Sequence, residues 1–426
     1  MRPLGRVWCG LGAFALGFQG GYAPRPATAQ ECLSVDGYRA TYAFVGRSAN
    51  DDDRNGWFTE TQGLTNGHPD LGHPYWYLSK NYNFLGVPAW TYIYAVPYSE
   101  HLKNNFDYYE RPIAMPDGAS GICFHVGGID YHRYECGEAC TATFIAAGYD
   151  QCDSGKARIG FFDPLEFDGS NRFLAPHATL DVSDAQGKDC PWVSVRSDGR
   201  IYSSAGGINP PRLPYTIFEY TIDWNQVLEG TDPVPTQVYP ITLRDYSGAP
   251  LWLKERQAGD FSPDDQLFFF HAKGFNEEDG RIFVFEVRDG NSWYLVKRSS
   301  VSEYPFWLDS DPSEFSVDEL EGLSYYDMNC VEDYHSGMPR AELHSMVLHN
   351  TWGTEDELTI HHYTSLLGTT PDLGIWEPFY QWWDGHGLWD GANLVLQPGT
   401  YVEEMTLKGK KVRIISPNGT SSIRIP

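Results

Sequence analysis

Apolar and polar positions along this chain fall into short strand-like runs, and the runs recur at a fixed spacing. Five stretches share one layout. They centre on Leu64 (Thr-Gln-Gly-Leu-Thr), Ile129 (Gly-Gly-Ile-Asp), Val193 (Pro-Trp-Val-Ser), Phe261 (Gly-Asp-Phe-Ser) and Leu323 (Glu-Gly-Leu-Ser), at steps of 65, 64, 68 and 62 residues. Each centre is followed by a second apolar-aromatic run: Trp76 to Ser79, Ala142 to Ile145, Gly199 to Ser203, Gln266 to Phe270 and His344 to Leu348. A third run follows each of these: Thr91 to Tyr94, Arg158 to Phe162, Thr216 to Tyr220, Arg281 to Glu286 and Leu358 to His362. The runs favour β-branched and aromatic residues and are bounded by Gly, Pro, Asp and Asn, which is strand chemistry. Asp198-Gly199 and Asp279-Gly280 stand where tight hairpin turns need positive φ. No long amphipathic helical period occurs; the best helical candidate is short, Asp318 to Gly322.

Self-similarity at a fixed period means one unit packed on copies of itself. Three visible strands, with a fourth in the less regular spacer, make a four-stranded antiparallel sheet. Five such sheets set radially make an all-β, five-bladed β-propeller; a sixth, degenerate blade hidden in the spacers is the alternative. A solenoid would show shorter periods, and a sandwich would be exceeded by so long a periodic region. The segment Tyr42-Ala43-Phe44-Val45 is expected to supply the outer strand that closes the ring on the last blade and removes its open edge.

The ends read differently. Residues 1–29 have the form of a secretory signal: Arg2 and Arg6, an apolar stretch from Val7 to Phe18, then Ala27-Thr28-Ala29 as the cleavage site. The apolar stretch is too short to span a bilayer, and no later run reaches that length. The organisation expected is therefore signal peptide 1–29, propeller 30–366, a Trp/Pro-rich linker 367–390 and a C-terminal segment 391–426. The protein is expected outside the cytoplasm, extracellular or periplasmic.

Composition then narrows the partners and the chemistry. The formal charge of −26, from 31 Lys+Arg against 57 Asp+Glu, excludes nucleic acid, which needs clustered cations. Without Cys9 of the signal, seven cysteines remain, and export makes them disulfide candidates. Cys123, Cys136, Cys140 and Cys152 share one short window of the second unit, most simply as Cys136–Cys140 with Cys123–Cys152, although three pairings of four are open. Zinc is disfavoured by their spacing. Of Cys32, Cys190 and Cys330, one pair and one thiol are expected.

In a propeller the first strand of each blade lines a central channel. The five centres therefore nominate Glu60 or Gln62, Asp130, Ser194, Asp260 and Glu321 as channel-facing groups. Carboxylates converging from different blades could hold Ca2+ through oxygen ligands, or supply an acid and base for hydrolysis; Asp130, Asp260 and Glu321 are the catalytic candidates. His125 and His132 flank the second centre as ligands or proton carriers, and with Gln62 and Ser194 make up the ligand-binding candidates. The plain structural alternative is that the acidic residues cap strand starts and hydrogen-bond backbone in neighbouring blades. A separate candidate is Asp51-Asp52-Asp53-Arg54-Asn55-Gly56, which has the D-x-D-x-N-G spacing of a calcium loop with Asp51, Asp53 and Asn55 as ligands. Its twelfth position is Gln62 in place of glutamate. No nucleophile elbow, phosphate loop, dinucleotide fingerprint or H-E-x-x-H motif occurs.

The segments GLT, YWYLSK and YIYAVP, then GGID, DGRIYSS, FSPDDQLFFF, GRIFVFEV and LEGLSYYD, resemble secreted β-propellers of the broad lactonase/NHL/YVTN-like group over about residues 57 to 363. The resemblance implies a fold whose members include calcium-dependent lactonases and pure binding modules. The lactonase metal quartet finds no residue-by-residue match here. From Gly391 to Pro426 the chain resembles the opening coil of the parallel β-helix of pectate-lyase-like domains, through Leu396-Gln397-Pro398-Gly399-Thr400-Tyr401 and Lys411 to Ile415. The sugar-cleaving residues of that family lie on later coils and are absent. Three functions follow as expectations: binding of an extracellular glycan or protein at the channel mouth without catalysis; a calcium-dependent hydrolase of a sugar or lactone/ester; or surface attachment through the tail.

Overall fold

The computed structural model describes residues 45–47, 54–55, 61–84, 87–100, 109–112, 123–137, 140–152, 155–164, 175–205, 213–274, 276, 280–298, 316–328, 331, 342–351, 357–364, 366–369, 393–396, 399–402, 413–415 and 421–424. Two short strands come first, β1 (Val45–Arg47) and β2 (Arg54–Asn55). The first antiparallel meander is β3 (Thr61–Asn66), β4 (Tyr75–Phe84), β5 (Val87–Pro97) and β6 (Tyr109–Pro112). The second is β7 (Cys123–Gly137), β8 (Cys140–Cys152), β9 (Arg158–Phe162) and β10 (Ala178–Asp181). The third is β11 (Ser194–Val195), β12 (Ile201–Ser203), β13 (Thr216–Thr221) and β14 (Gln237–Arg244). The fourth is β15 (Leu253–Phe261), β16 (Leu267–Gly274), β17 (Gly280–Glu286) and β18 (Ser292–Arg298). The fifth, β19 (Ser316–Tyr325), β20 (Leu343–Thr351) and β21 (Glu357–Thr364), takes its fourth strand from the N-terminus: β1 pairs β21 with Val45 opposite Thr364. Val45, the last residue of the expected closing segment, lies in this strand, and Tyr42 to Phe44 lie outside the described residues.

Period-two alternation sends successive side chains of each strand to opposite faces, and so into different cores. In β16, Phe268 and Phe270 join the core shared with the third meander, while Phe269 joins the core shared with the fifth. Five buried clusters result, each between consecutive meanders. The cluster of Leu64, Trp76, Met346, Leu348 and Ile360 joins the fifth meander back to the first. The first strands β3, β7, β11, β15 and β19 also pack on one another in sequence, with β19 on β3. The sheets therefore stand around a common axis as a β-propeller. At one junction the outer strands also hydrogen-bond: β14 pairs β18 in parallel, Leu243 opposite Trp293.

Two sequence expectations are corrected. Asp318 to Gly322 is not helical but lies within β19, paired with β20 from Asp318–His349 to Leu320–Val347. Tertiary pairing overrides local propensity there. Gly280 begins β17 opposite Lys273 rather than forming a positive-φ turn, whereas Gly199 does turn between β11 and β12 at φ 83°. The helices among the described residues are single turns, the 3-10 turn Pro69–Leu71 and the α-turns Ser183–Gln186 and Trp224–Leu228, and none is long and apolar enough to cross a membrane.

C-terminal to the fifth meander the pairing becomes parallel. The strands β22 (Leu366–Thr369), β23 (Asn393–Leu396) and β25 (Arg413–Ile415) form one sheet; β24 (Gly399–Val402) and β26 (Ser421–Arg424) form another.

Candidate functional site

The axis is built from the first strands. Four of them carry a β-bulge: between Thr61 and Gly63, Val126 and Ile129, Lys254 and Ala258, and Leu320 and Leu323. A bulge re-aims side chains locally. Just past the bulge, and at the matching position of β11, each meander places a hydroxyl or carboxyl: Thr65, Asp130, Ser194 and Ser324 are buried and Asp260 is half-buried. The steps of this belt are 65, 64, 66 and 64 residues. Counting from the apolar centre places the fourth unit two residues late, because Phe261 matches Tyr131 rather than Ile129.

The belt bonds the first meander to the second, the second to the third and the fourth to the fifth. Thr65 Oγ1 accepts the Tyr131 N–H at 3.0 Å. Asp130 Oδ2 accepts the Val195 N–H at 2.6 Å, and Asp260 Oδ2 accepts the Tyr325 N–H at 2.6 Å, each across 65 residues. The second oxygens are engaged as well: Thr65 donates to Asp130 Oδ1 at 3.4 Å, and the Phe261 N–H donates to Asp260 Oδ1 at 2.7 Å. Ser194 Oγ is buried in the belt beside Asp130 but outside hydrogen-bonding geometry.

Burial raises the Asp130 carboxyl to about 7, with the N–H of Val195 pulling it back. Burial also pushes Asp260 well above the carboxylate range, and the charge of Asp130 adds to the shift. Desolvation favours the protonated form of both carboxyls, and Asp260 also feels the charge of Asp130.

Glu321 does not join this pair. It sits in the bulge of β19, three residues before Ser324, as Gln62 sits three before Thr65. Glu321 is fully buried, and its backbone oxygen takes the ring Nδ1 of His271 at 3.1 Å. Gln62 Oε1 meets His125 Nε2 at 3.0 Å. His132 lies elsewhere, packed on Trp224 with centroids 4.6 Å apart and kept neutral by burial, which lowers its pKa to about 4. Seven residues of strand separate it from His125, about 20 Å along β7. Among the described residues no group of three or more His, Cys, Asp or Glu side chains is placed to hold a metal ion. Of the calcium-loop candidate, Arg54 and Asn55 form β2 against Leu358 and Glu357, while Asp51 and Asp53 lie outside the described residues, as does Glu60.

Several bracing residues escaped the sequence reading. His271 donates through Nδ1 to Glu321 O, and its Nε2 takes the Ser345 hydroxyl at 3.0 Å, so it ties the fourth meander to two strands of the fifth. Asn81 exchanges two hydrogen bonds with the backbone of Val126, at 2.9 and 3.1 Å. Arg256, fully buried, donates to the carbonyls of Thr216 (2.9 Å), Leu213 and Ala205 in the third meander; burial lowers its pKa to about 10. The signal that could have found them was a polar residue interrupting an apolar second run, as at Ser79, His271 and Ser345.

Of the two disulfides expected in the second unit, the described residues show one. Cys136 and Cys140 are bonded at the tip of the β7–β8 hairpin. Cys123 and Cys152 are backbone partners at its root. Cys190 is a buried thiol 3.3 Å from Ser203 Oγ. Cys32 and Cys330 lie outside the described residues.

No protein-family model matches the chain, and no curated protein matches it. Solved structures do resemble it. A putative glycoside hydrolase from Parabacteroides distasonis is 11% identical over 79% of this chain and 95% of its own, with a TM-score of 0.35. The major allergen Mala s 1 of Malassezia sympodialis is 11% identical over 76% and 96%, at 0.33. Hydrazine synthase of Kuenenia stuttgartiensis is 12% identical over 70% of this chain, at 0.29, and the chain spans 57% of its length. Likeness at these scores says nothing of activity or ligand.

Proposed function

We propose that the chain is an exported five-bladed β-propeller that binds an extracellular glycan or protein ligand without catalysis. The observation that carries this reading is the use made of Asp130 and Asp260. Each accepts a backbone N–H of the next blade at the same 65-residue offset, and Thr65 accepts one at 66 residues through a hydroxyl that has no acid–base role at neutral pH. A group repeated as a brace between blades needs no catalytic explanation. The Cys136–Cys140 bond supports an oxidising compartment. In the tail, Asn393 pairs with Arg413 and Gly399 with Ser421, in register at 20 and 22 residues, which supports a segment coiled like the start of a parallel β-helix.

The rival reading, a hydrolase working through the axial carboxylates, rests on the two raised carboxyls Asp130 and Asp260. Purified protein assayed against lactones, aryl esters and aryl glycosides separates the two, with Asp130→Asn and Asp260→Asn beside it. The binding reading expects no turnover that either substitution removes. Turnover lost in a variant that melts like wild type would establish the hydrolase instead.

A further inference from the structure

The parallel pairing of β14 with β18 builds a cleft on the opposite side of the sheets from the loops that enter the first strands. Thr242 N–H donates to Asn291 O at 2.8 Å and Arg244 Nε to Ser292 Oγ at 2.9 Å, which holds the turn of residues 287–291 over the outer strands of the third meander. The turn is made at Gly290, φ 105°. The cleft beneath encloses about 290 Å³ and is bordered by Arg196, Arg200, Arg288, Glu219, Gln237 and Tyr239, with Trp293 at its floor. That volume lies at the small end of ligand pockets and suits a single ring-sized molecule.

The lining is planar, polar and already ordered. Arg200 donates Nε and Nη2 to Asp198 and Nη1 to Glu219 at 3.3 Å. The Tyr202 hydroxyl donates to Glu219 at 2.6 Å. Arg196 stands 3.4 Å from Asp265 and 3.8 Å from Asp198. Arg288 donates Nε and Nη2 to Glu286, lies 4.3 Å over the Tyr294 ring and borders the cleft. Asp289 borders the same space. Every guanidinium therefore faces a carboxylate. A bare anion would have to displace one, at the cost of a charge-assisted bond. What complements paired donors and acceptors on rigid planar groups is a ligand offering donor and acceptor together on adjacent atoms, a vicinal diol. The half-buried Tyr239 ring supplies an apolar wall for one face of such a ring.

We infer that this cleft binds one neutral hexose unit of a glycan. The inference extends the binding reading above and assigns it a second location, away from the axis. Calorimetry and ligand-observed NMR on the full chain, with methyl glucoside, galactoside and mannoside, test it against glucuronate and inorganic phosphate. One neutral hexoside should saturate a single site at about millimolar affinity. Arg288→Ala, at an exposed turn, and Tyr239→Ala should each weaken it about tenfold with the melting temperature held. Saturation by glucuronate or phosphate alone overturns the ligand class. Hexoside binding unchanged in both variants removes the cleft but leaves the binding reading intact. No saturation by any neutral hexoside overturns the inference outright.

Discussion

At the scale of single residues, the axis is held by side chains that imitate backbone partners. His271 illustrates how far this goes. Its ring is fully buried, and burial lowers its pKa to about 4. An unfolded histidine titrates near 6.5, so the neutral ring contributes stability above that pH, and the contribution is lost as pH falls toward 4. His271→Ala removes both inter-blade bonds and should cost about 2–4 kcal/mol at pH 7.5. Urea unfolding across pH should show that penalty shrinking toward pH 4; a penalty independent of pH would mean that the ring fills space and nothing more. Little of this was legible in the sequence. The run Leu267-Phe268-Phe269-Phe270 announces a buried strand, but whether a histidine at its end bonds, ligates or titrates depends on Glu321 and Ser345, 50 and 74 residues away. Asp130 and Asp260 were legible as axial residues, because period and polarity both mark them. Their role was not, since a carboxylate that caps a neighbour and one that catalyses have the same sequence.

At the scale of strands, the run pattern located the elements well, and failed where pairing overrides local composition. Arg158 to Phe162 is β9 to the residue, while Asp318 to Gly322 is charged and short enough to suggest a helical turn yet is drawn into β19 by β20. The bulges were not legible at all, although glycines mark two of them. A Cβ on Gly127 would lie 1.8 Å from Pro191 O, and one on Gly322 would lie 2.4 Å from the Leu64 nitrogen. Both are backbone-to-backbone approaches between neighbouring blades, so neither contact can yield without moving a strand. Gly127→Ala should accordingly cost about 3 kcal/mol or more, or prevent folding. Alanine at Gly155, in open space but at φ 66°, should cost about 1 kcal/mol from backbone conformation alone. Equal losses at the two sites, measured by chemical denaturation, would contradict the close packing between β7 and the segment before β11.

For the whole molecule, closure of the ring was the most legible feature, since an N-terminal strand completing the last sheet follows from a repeat that would otherwise end on an open edge. The structure makes that closure with Val45–Arg47 on β21. Removing residues 1–47 should lower the melting temperature by several degrees and, by exposing β21, promote self-association visible by size-exclusion chromatography. An unchanged monomer would show that closure rests on the core of Leu64, Trp76 and Met346 alone. Above all, burial favours the protonated form of the axial carboxyls that brace the blades. A carboxyl raised to about 7 in the fold, against about 4 unfolded, contributes stability that is complete below pH 4 and is lost as pH rises to 7. The buried histidines titrate in the opposite sense, so wild type alone does not isolate the effect, but its difference from Asp130→Asn does. The most direct test is the unfolding free energy of both proteins from pH 4 to pH 8. The variant should match wild type near pH 4 and gain on it toward pH 8, by up to about 4 kcal/mol. A variant that loses ground toward pH 8 would show an ionised, stabilised Asp130, as a cation site requires, and would contradict the neutral brace.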